Sequence, residues 1–143
     1  MDGIKAAAQK LISKHGSNDP FKIAEERGIH LVFEDLEEIY GYYHYYRRVQ
    51  SIHINNKLNE ILQKFVCAHE LGHAIFHTKQ NTAYLSRYTL FTADKLEKEA
   101  NTFAVELLVN DQTLYDCMRA GYNIDQIARF FGIPQQFMKY KSF

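Results

Sequence analysis

Residues 57–77 read KLNEILQKFVCAHELGHAIFH. Leu58, Ile61, Leu62, Phe65, Val66, His69, His73 and Phe76 recur at a helical spacing and keep to one broad side. The spacing predicts a long helix over about 57–77, with H-E-x-x-H in its C-terminal half. Residues four apart on a helix are offset by about 40° and lie about 6 Å apart along the axis. His69 and His73 can therefore reach one ion from one face. His77 lies about 80° round and about 12 Å beyond His69. It is too far to share an ion whose bonds to nitrogen are only about 2.0–2.1 Å. It is left as a residue that packs, orients a ligand or faces substrate. Glu70 is too far round the helix to be a natural third ligand. It sits beside the place of an attacking water and can take that water's proton, so it is the candidate catalytic base.

A catalytic zinc needs a third protein ligand and an open position. The metzincin continuation, H-x-x-G-x-x-H, is excluded because its last positions hold Phe76 and Lys79. A carboxylate from a later helix is the alternative. LEKEANTFAVELL, Leu96 to Leu108, offers Glu97, Glu99 and Glu106. The apolar stripe of that helix centres on Ala100. At about 100° per residue, Glu97 lies about 60° from the centre, Glu99 about 100° and Glu106 about 120°. Glu97 is favoured, and Glu99 stays open as the alternative. Asn101, one turn beyond Glu97 on the same side, can hydrogen-bond a ligand and fix its orientation.

Outward from this core, the chain reads as α+β. Ile4 to His15 is an amphipathic helix. Asp19 caps a second short helix, Phe21 to Arg27, with Pro20 at its first position and Gly28 at its end. Three strands come next, near 30–34, 39–46 and 50–54, rich in β-branched and aromatic residues. They are expected to form a small three-stranded antiparallel sheet, the last two strands turning around Arg47, Arg48 and Val49. In YGYYHYY, Tyr40 to Tyr46, alternate residues share a face, as in a half-buried strand. An edge along which an extended peptide adds is the functional reading. Residues 79–91 read as a loop, and Thr92 precedes the glutamate helix. Asn110 and Asp111 restart the chain into a helix ending near Gly121, and a final helix, turn and short helix close it. One domain is expected over 1–143: N-terminal helices at 1–28, the sheet at 29–55, active-site helices at 57–109 and C-terminal helices at 111–143.

The bulk numbers suit such a domain. The chain has 143 residues, a formal net charge of +0 and two cysteines. Zero charge gives no case for general binding to nucleic acid or an acidic membrane. Two cysteines make no disulfide framework, and the lysine-interrupted N-terminus is a poor signal peptide. No apolar run is long enough to span a membrane. These readings point to a cytoplasmic protein. NIDQIARFFGIP, Asn123 to Pro134, has the pattern of a helix-turn-helix. The remaining segment, PQQFMKYKSF, is too short to make a convincing recognition helix, so direct nucleic-acid binding is not expected.

INNKLNEILQKFVCAHELGHAIFH followed by LEKEANTFAVELL resembles the ImmA/IrrE family of metallopeptidases, gluzincin-like enzymes. The resemblance runs from about Ile23 to Asn110, and SIHIN and GYYHYY also match the family's style. Where the family often carries a proline shortly after its LL pair, this chain has Asn110. The resemblance implies Zn2+ held by His69, His73 and Glu97, with Glu70 as base. It also implies a protein substrate, a helix-turn-helix repressor whose cleavage releases a phage or mobile element from silence. The expected function is thus a zinc endopeptidase with anti-repressor activity. A non-proteolytic regulator that only binds the repressor is the alternative. Tyr84, Tyr88 and His77 are candidates to stabilise the oxyanion, and the spacing does not choose among them.

Overall fold

The computed structural model describes residues 2–82, 84–86 and 94–142. Helix α1 runs Asp2–His15 and α2 runs Pro20–Glu26, with the Asp19 side chain accepting from Phe21 N. Strands β1 (His30–Glu34), β2 (Ile39–Tyr46) and β3 (Val49–Asn55) lead into α3 (Glu60–Phe76). A two-residue strand β4, Leu85–Ser86, precedes α4 (Lys95–Leu108), α5 (Asp111–Arg119) and α6 (Ile124–Phe131). A 3-10 helix at Gln135–Tyr140 comes last. The architecture is α+β, as the periodicities predict.

The sheet departs from expectation in two ways. It has four strands in the order β1-β3-β2-β4, and β1 pairs with β3 in parallel. Only the β2–β3 and β2–β4 pairs are antiparallel. Alternation along a strand fixes its faces and says nothing of its neighbours. The neighbour is chosen at the far end of β3. There the buried Asn55 amide donates to the carbonyls of Glu37 (2.9 Å) and Ile39 (3.0 Å), and Asn56 N donates to Glu34 O at 2.9 Å. These bonds hold the end of β3 between the strands on either side of the 35–38 link. The segment expected as a loop contains β4, too short to leave a periodic signal.

Helix α3 lies on the sheet and against α4, and its residues Phe65 to Ala74 are all buried. Two glycines permit the close contacts. A Cβ at Gly41 on β2 would stand 2.6 Å from Val66 Cγ1 and 2.6 Å from His53 O. One at Gly72 on α3 would stand 3.2 Å from Ala100 Cα and 3.2 Å from the Phe103 ring. On β2, Gly41 and Tyr43 are buried towards α3, while His44 and Tyr46 face solvent. From Tyr42 to Tyr46 the outer side of β2 pairs with no strand among the described residues, and Tyr45 N donates to Asn81 Oδ1 (2.9 Å). The C-terminal segment packs inward: Phe137 is buried with its ring 5.2 Å from that of Phe65. Among the described residues no helix is long and apolar enough to cross a membrane.

Candidate metal centre

The Asn59 side chain caps α3 by accepting from Leu62 N, so the helix starts slightly later than its periodicity suggests. Asp94 caps α4 by accepting from Leu96 N and Glu97 N, which fixes the turn that carries Glu97. Thr92, expected just ahead of this helix, lies outside the described residues. Because α3 and α4 meet at Gly72, Glu97 reaches both histidines. Its Oε2 is 2.9 Å from His69 Nε2 and its Oε1 is 2.9 Å from His73 Nε2. The first contact is a hydrogen bond; the second lacks hydrogen-bond alignment, and His73 Nε2 has no hydrogen-bond partner among the described residues. Ligand-capable atoms of His69, Glu70 and His73 lie within 4.8 Å of one another, all three residues buried.

Glu70 is the unusual member. It is fully buried, and neither carboxylate oxygen has a hydrogen-bond partner among the described residues. Burial pushes its carboxyl up to about 8. Glu97 goes the other way. Burial disfavours its charge, but the His69 hydrogen bond and the His73 imidazole beside it outweigh that and hold it down to about 2. Burial also works against protonation of His69, yet its bond to Glu97 raises it; His73 is lowered, chiefly by burial. A buried carboxylate with no donor is costly. Two orphaned oxygens and an orphaned imidazole nitrogen, beside an ionised carboxylate, fit a bound cation. His69, His73 and Glu97 could hold it, offering the nitrogen and oxygen donors that divalent metals such as zinc accept.

The rings of both histidines are held from behind. His69 Nδ1 is 2.7 Å from Asn101 Oδ1, as the spacing of Asn101 suggests. His73 Nδ1 is 2.9 Å from His77 Nδ1, and His77 Nε2 is 3.0 Å from Glu99 Oε1. Glu99, the alternative third ligand, is therefore engaged with His77. Both ring nitrogens of His77 are taken, which leaves no N–H for an oxyanion. Tyr84 is 55% exposed and its ring packs 4.8 Å from that of Tyr42. Tyr88 lies outside the described residues. Glu106 is buried at the other end of α4, where Lys141 Nζ lies 2.8 Å from Oε1.

Sequence reasoning missed Tyr43 and Gln50. The Tyr43 hydroxyl donates to Thr78 O, and Gln50 Nε2 donates to the Tyr43 oxygen (2.9 Å) and to Ala74 O (3.1 Å). Together they anchor the end of α3, where His77 leaves the helix. The only hint in the sequence is that Tyr43 falls on the inward face of its strand.

Comparison with known proteins points to a peptidase family. The family described as IrrE N-terminal-like domain, a peptidase family, matches residues 24–143. A protein of Bacillus phage phi105 named "Uncharacterized immunity region protein 2" is 42% identical over 134 residues, which cover 93% of this chain and 85% of that one. The "Metallopeptidase ImmA" of Bacillus subtilis is 34% identical over 143 residues, covering 97% of this chain and 83% of its own.

Proposed function

The chain belongs to the ImmA/IrrE family of metallopeptidases, and on that premise we propose that it is a zinc-dependent endopeptidase acting on a helix-turn-helix repressor. Cleavage would release a phage or mobile element from silence. The observation that carries the chemistry is the buried, unpartnered Glu70 carboxylate next to His69, His73 and Glu97. The name of the phage relative, an immunity region protein, supports a regulatory protein as substrate.

His69, His73 and Glu97 would hold the ion. Bound there, it would supply Lewis acidity towards the scissile carbonyl and a positive field that favours the ionised form of Glu70. Glu70 then takes a proton from the attacking water and passes it to the leaving amine as the C–N bond breaks. Glu97 contributes a charge that burial alone would suppress, sustained by its two imidazole neighbours. With the ion bound, Asn101 accepting from His69 Nδ1–H would leave the His69 Nε2 lone pair to the metal in place of its hydrogen bond to Glu97. The outer side of β2 beyond Gly41 offers backbone groups along which an extended substrate can pair.

The test is cleavage of the cognate repressor by the purified chain with zinc, with chelator, and with Glu70→Gln. We expect chelator to abolish cleavage. Glu70→Gln should keep one equivalent of zinc and lose about 10²–10⁴-fold in rate, the usual worth of a positioned base. Undiminished cleavage by that variant removes Glu70 from the mechanism. A stable zinc-loaded complex with an intact repressor would instead identify a regulator that acts by binding alone.

A further inference from the structure

His73 and His77 place two imidazole nitrogens 2.9 Å apart, both named Nδ1. Such a pair holds one proton between them: two lone pairs repel, and two N–H groups collide. The far side of each ring decides which way that proton points. His73 Nε2 faces Glu97 and has no hydrogen-bond partner. His77 Nε2 faces the Glu99 carboxylate at 3.0 Å, which can only accept when ionised. His77 therefore carries its proton on Nε2 and gives it to Glu99. Its Nδ1 is then an acceptor, His73 carries its proton on Nδ1, and His73 Nε2 is left with a bare lone pair.

We propose that His77 and Glu99 are positioning residues for His73, a carboxylate–imidazole pair that fixes its tautomer and ring plane for metal binding. The inference rests on the reading that His69, His73 and Glu97 hold a divalent ion. The fold is built to place His77 for this task. Helix α3 stops at Phe76, and His77 adopts φ −129° and ψ 42° while its N–H still bonds His73 O at 2.8 Å. A histidine continuing the helix would point further round; leaving it lets the ring turn back onto His73. Thr78 Oγ1 donates to Ala74 O (2.8 Å) and Thr78 O accepts from Tyr43, so the turn is pinned on both sides. His77 is 5% exposed. The two histidines are thus held differently, His69 by a neutral amide and His73 by an imidazole with an anionic carboxylate behind it.

The test measures metal rather than turnover. Zinc affinity is read by competition with a chromophoric chelator, and coordination by the visible absorption of the cobalt-loaded chain. The proteins are wild type, His77→Phe, Glu99→Ala, Glu99→Gln and the His77→Phe/Glu99→Ala double variant. His77→Phe should weaken zinc about 10–100-fold, as loss of a ligand's orienting partner does elsewhere, and should alter the cobalt spectrum. Glu99→Ala should weaken it less, and Glu99→Gln, which keeps an acceptor oxygen, should restore most of that loss. In the His77→Phe background Glu99→Ala should do nothing further, because Glu99 acts only through His77. Unchanged affinity and spectrum in the single variants overturn the inference, and so do additive effects in the double variant. Should His77→Phe not fold, the Glu99 pair decides alone. A wild-type chain that takes up neither zinc nor cobalt defeats the metal reading itself, which is a separate outcome.

Discussion

Glu97 and Glu106 lie near opposite ends of helix α4, and each is 5% exposed. At the Glu106 end the protein answers every charge itself. Lys141 Nζ donates to Oε1 at 2.8 Å and Ser142 N to Oε2 at 2.7 Å. Lys141 also bonds Asp111, and Lys5 lies 3.0 Å from Asp111 and 2.7 Å from Ser142 O. At the Glu97 end the carboxylate meets two imidazoles, and the adjacent Glu70 meets nothing. A buried acid that serves the fold brings its own cation. A buried acid left without one, as Glu70 is, fits a cation supplied from outside.

Exchanging the two losses is the strongest way to break this contrast. Glu97→Gln should empty the site of zinc and reduce hydrolysis to background, with the unfolding midpoint close to wild type. Glu106→Ala should leave the buried Lys141 with only Asp111 and Ser142 O as partners and cost about 1–3 kcal/mol of stability, while the fraction still folded cleaves normally. Denaturant melts beside zinc stoichiometry read both. A Glu97→Gln chain that unfolds, or a stable Glu106→Ala chain that loses zinc, would erase the distinction.

Gly72→Ala probes the contact that brings Glu97 to the histidines. The new methyl meets backbone and ring at 3.2 Å, so α3 and α4 must part slightly. Overpacking of this kind costs about 1–3 kcal/mol. The same shift should weaken zinc, so stability and affinity should fall together. A variant destabilised to that degree with unchanged affinity would show that the site does not depend on this helix spacing.

The smallest effect concerns acid and base. Lys141 and Lys5 hold Asp111 below its ordinary 3.8, and Asp111 raises Lys5 above its ordinary 10.5. The Asp111 contribution is complete above pH 3.8 and disappears as pH falls through its depressed value. The Lys5 contribution is complete below pH 10.5 and disappears as pH climbs through the raised one. Asp111→Asn should therefore melt earlier than wild type at neutral pH, and the gap should close below pH 3.8. Both side chains reach solvent, so the difference will be modest and salt-sensitive. A gap that persists in acid would mean that Asp111 acts through its hydrogen bonds rather than as a charge.

The Glu97 end of α4 was legible in the sequence and the Glu106 end was not, for physical reasons. Helical geometry is local: four residues between His69 and His73, and the angle of Glu97 and Asn101 from an apolar stripe, need no knowledge of the rest of the chain. The caps at Asp19 and Asn110 are local too. Glu106 lies well off that stripe and still ends up buried, because residues 135–142 fold back over its face. Lysine is rarely buried, so nothing marks Lys141 as a core residue. The parallel pairing of β1 with β3 fails to show for the same reason: it joins residues far apart in the chain, as where Asn56 N meets Glu34 O. His77 was half legible. Its distance from His69 comes from the helix, but its turn back onto His73 depends on where the helix stops.

Helix α3 sets its Val66 side chain against the bare main chain of Gly41 on one side, and its Gly72 against the α4 backbone at Ala100 on the other. Side chains yield by changing rotamer, whereas backbone does not, so the helix is a fixed jaw. Whatever adapts when a polypeptide docks must be elsewhere in the molecule. On the proposed reading, the imidazoles and the Glu70 carboxylate would stand in place before substrate arrives, with little reorganisation left for bond cleavage. Two absent methyl groups are what make that stillness possible.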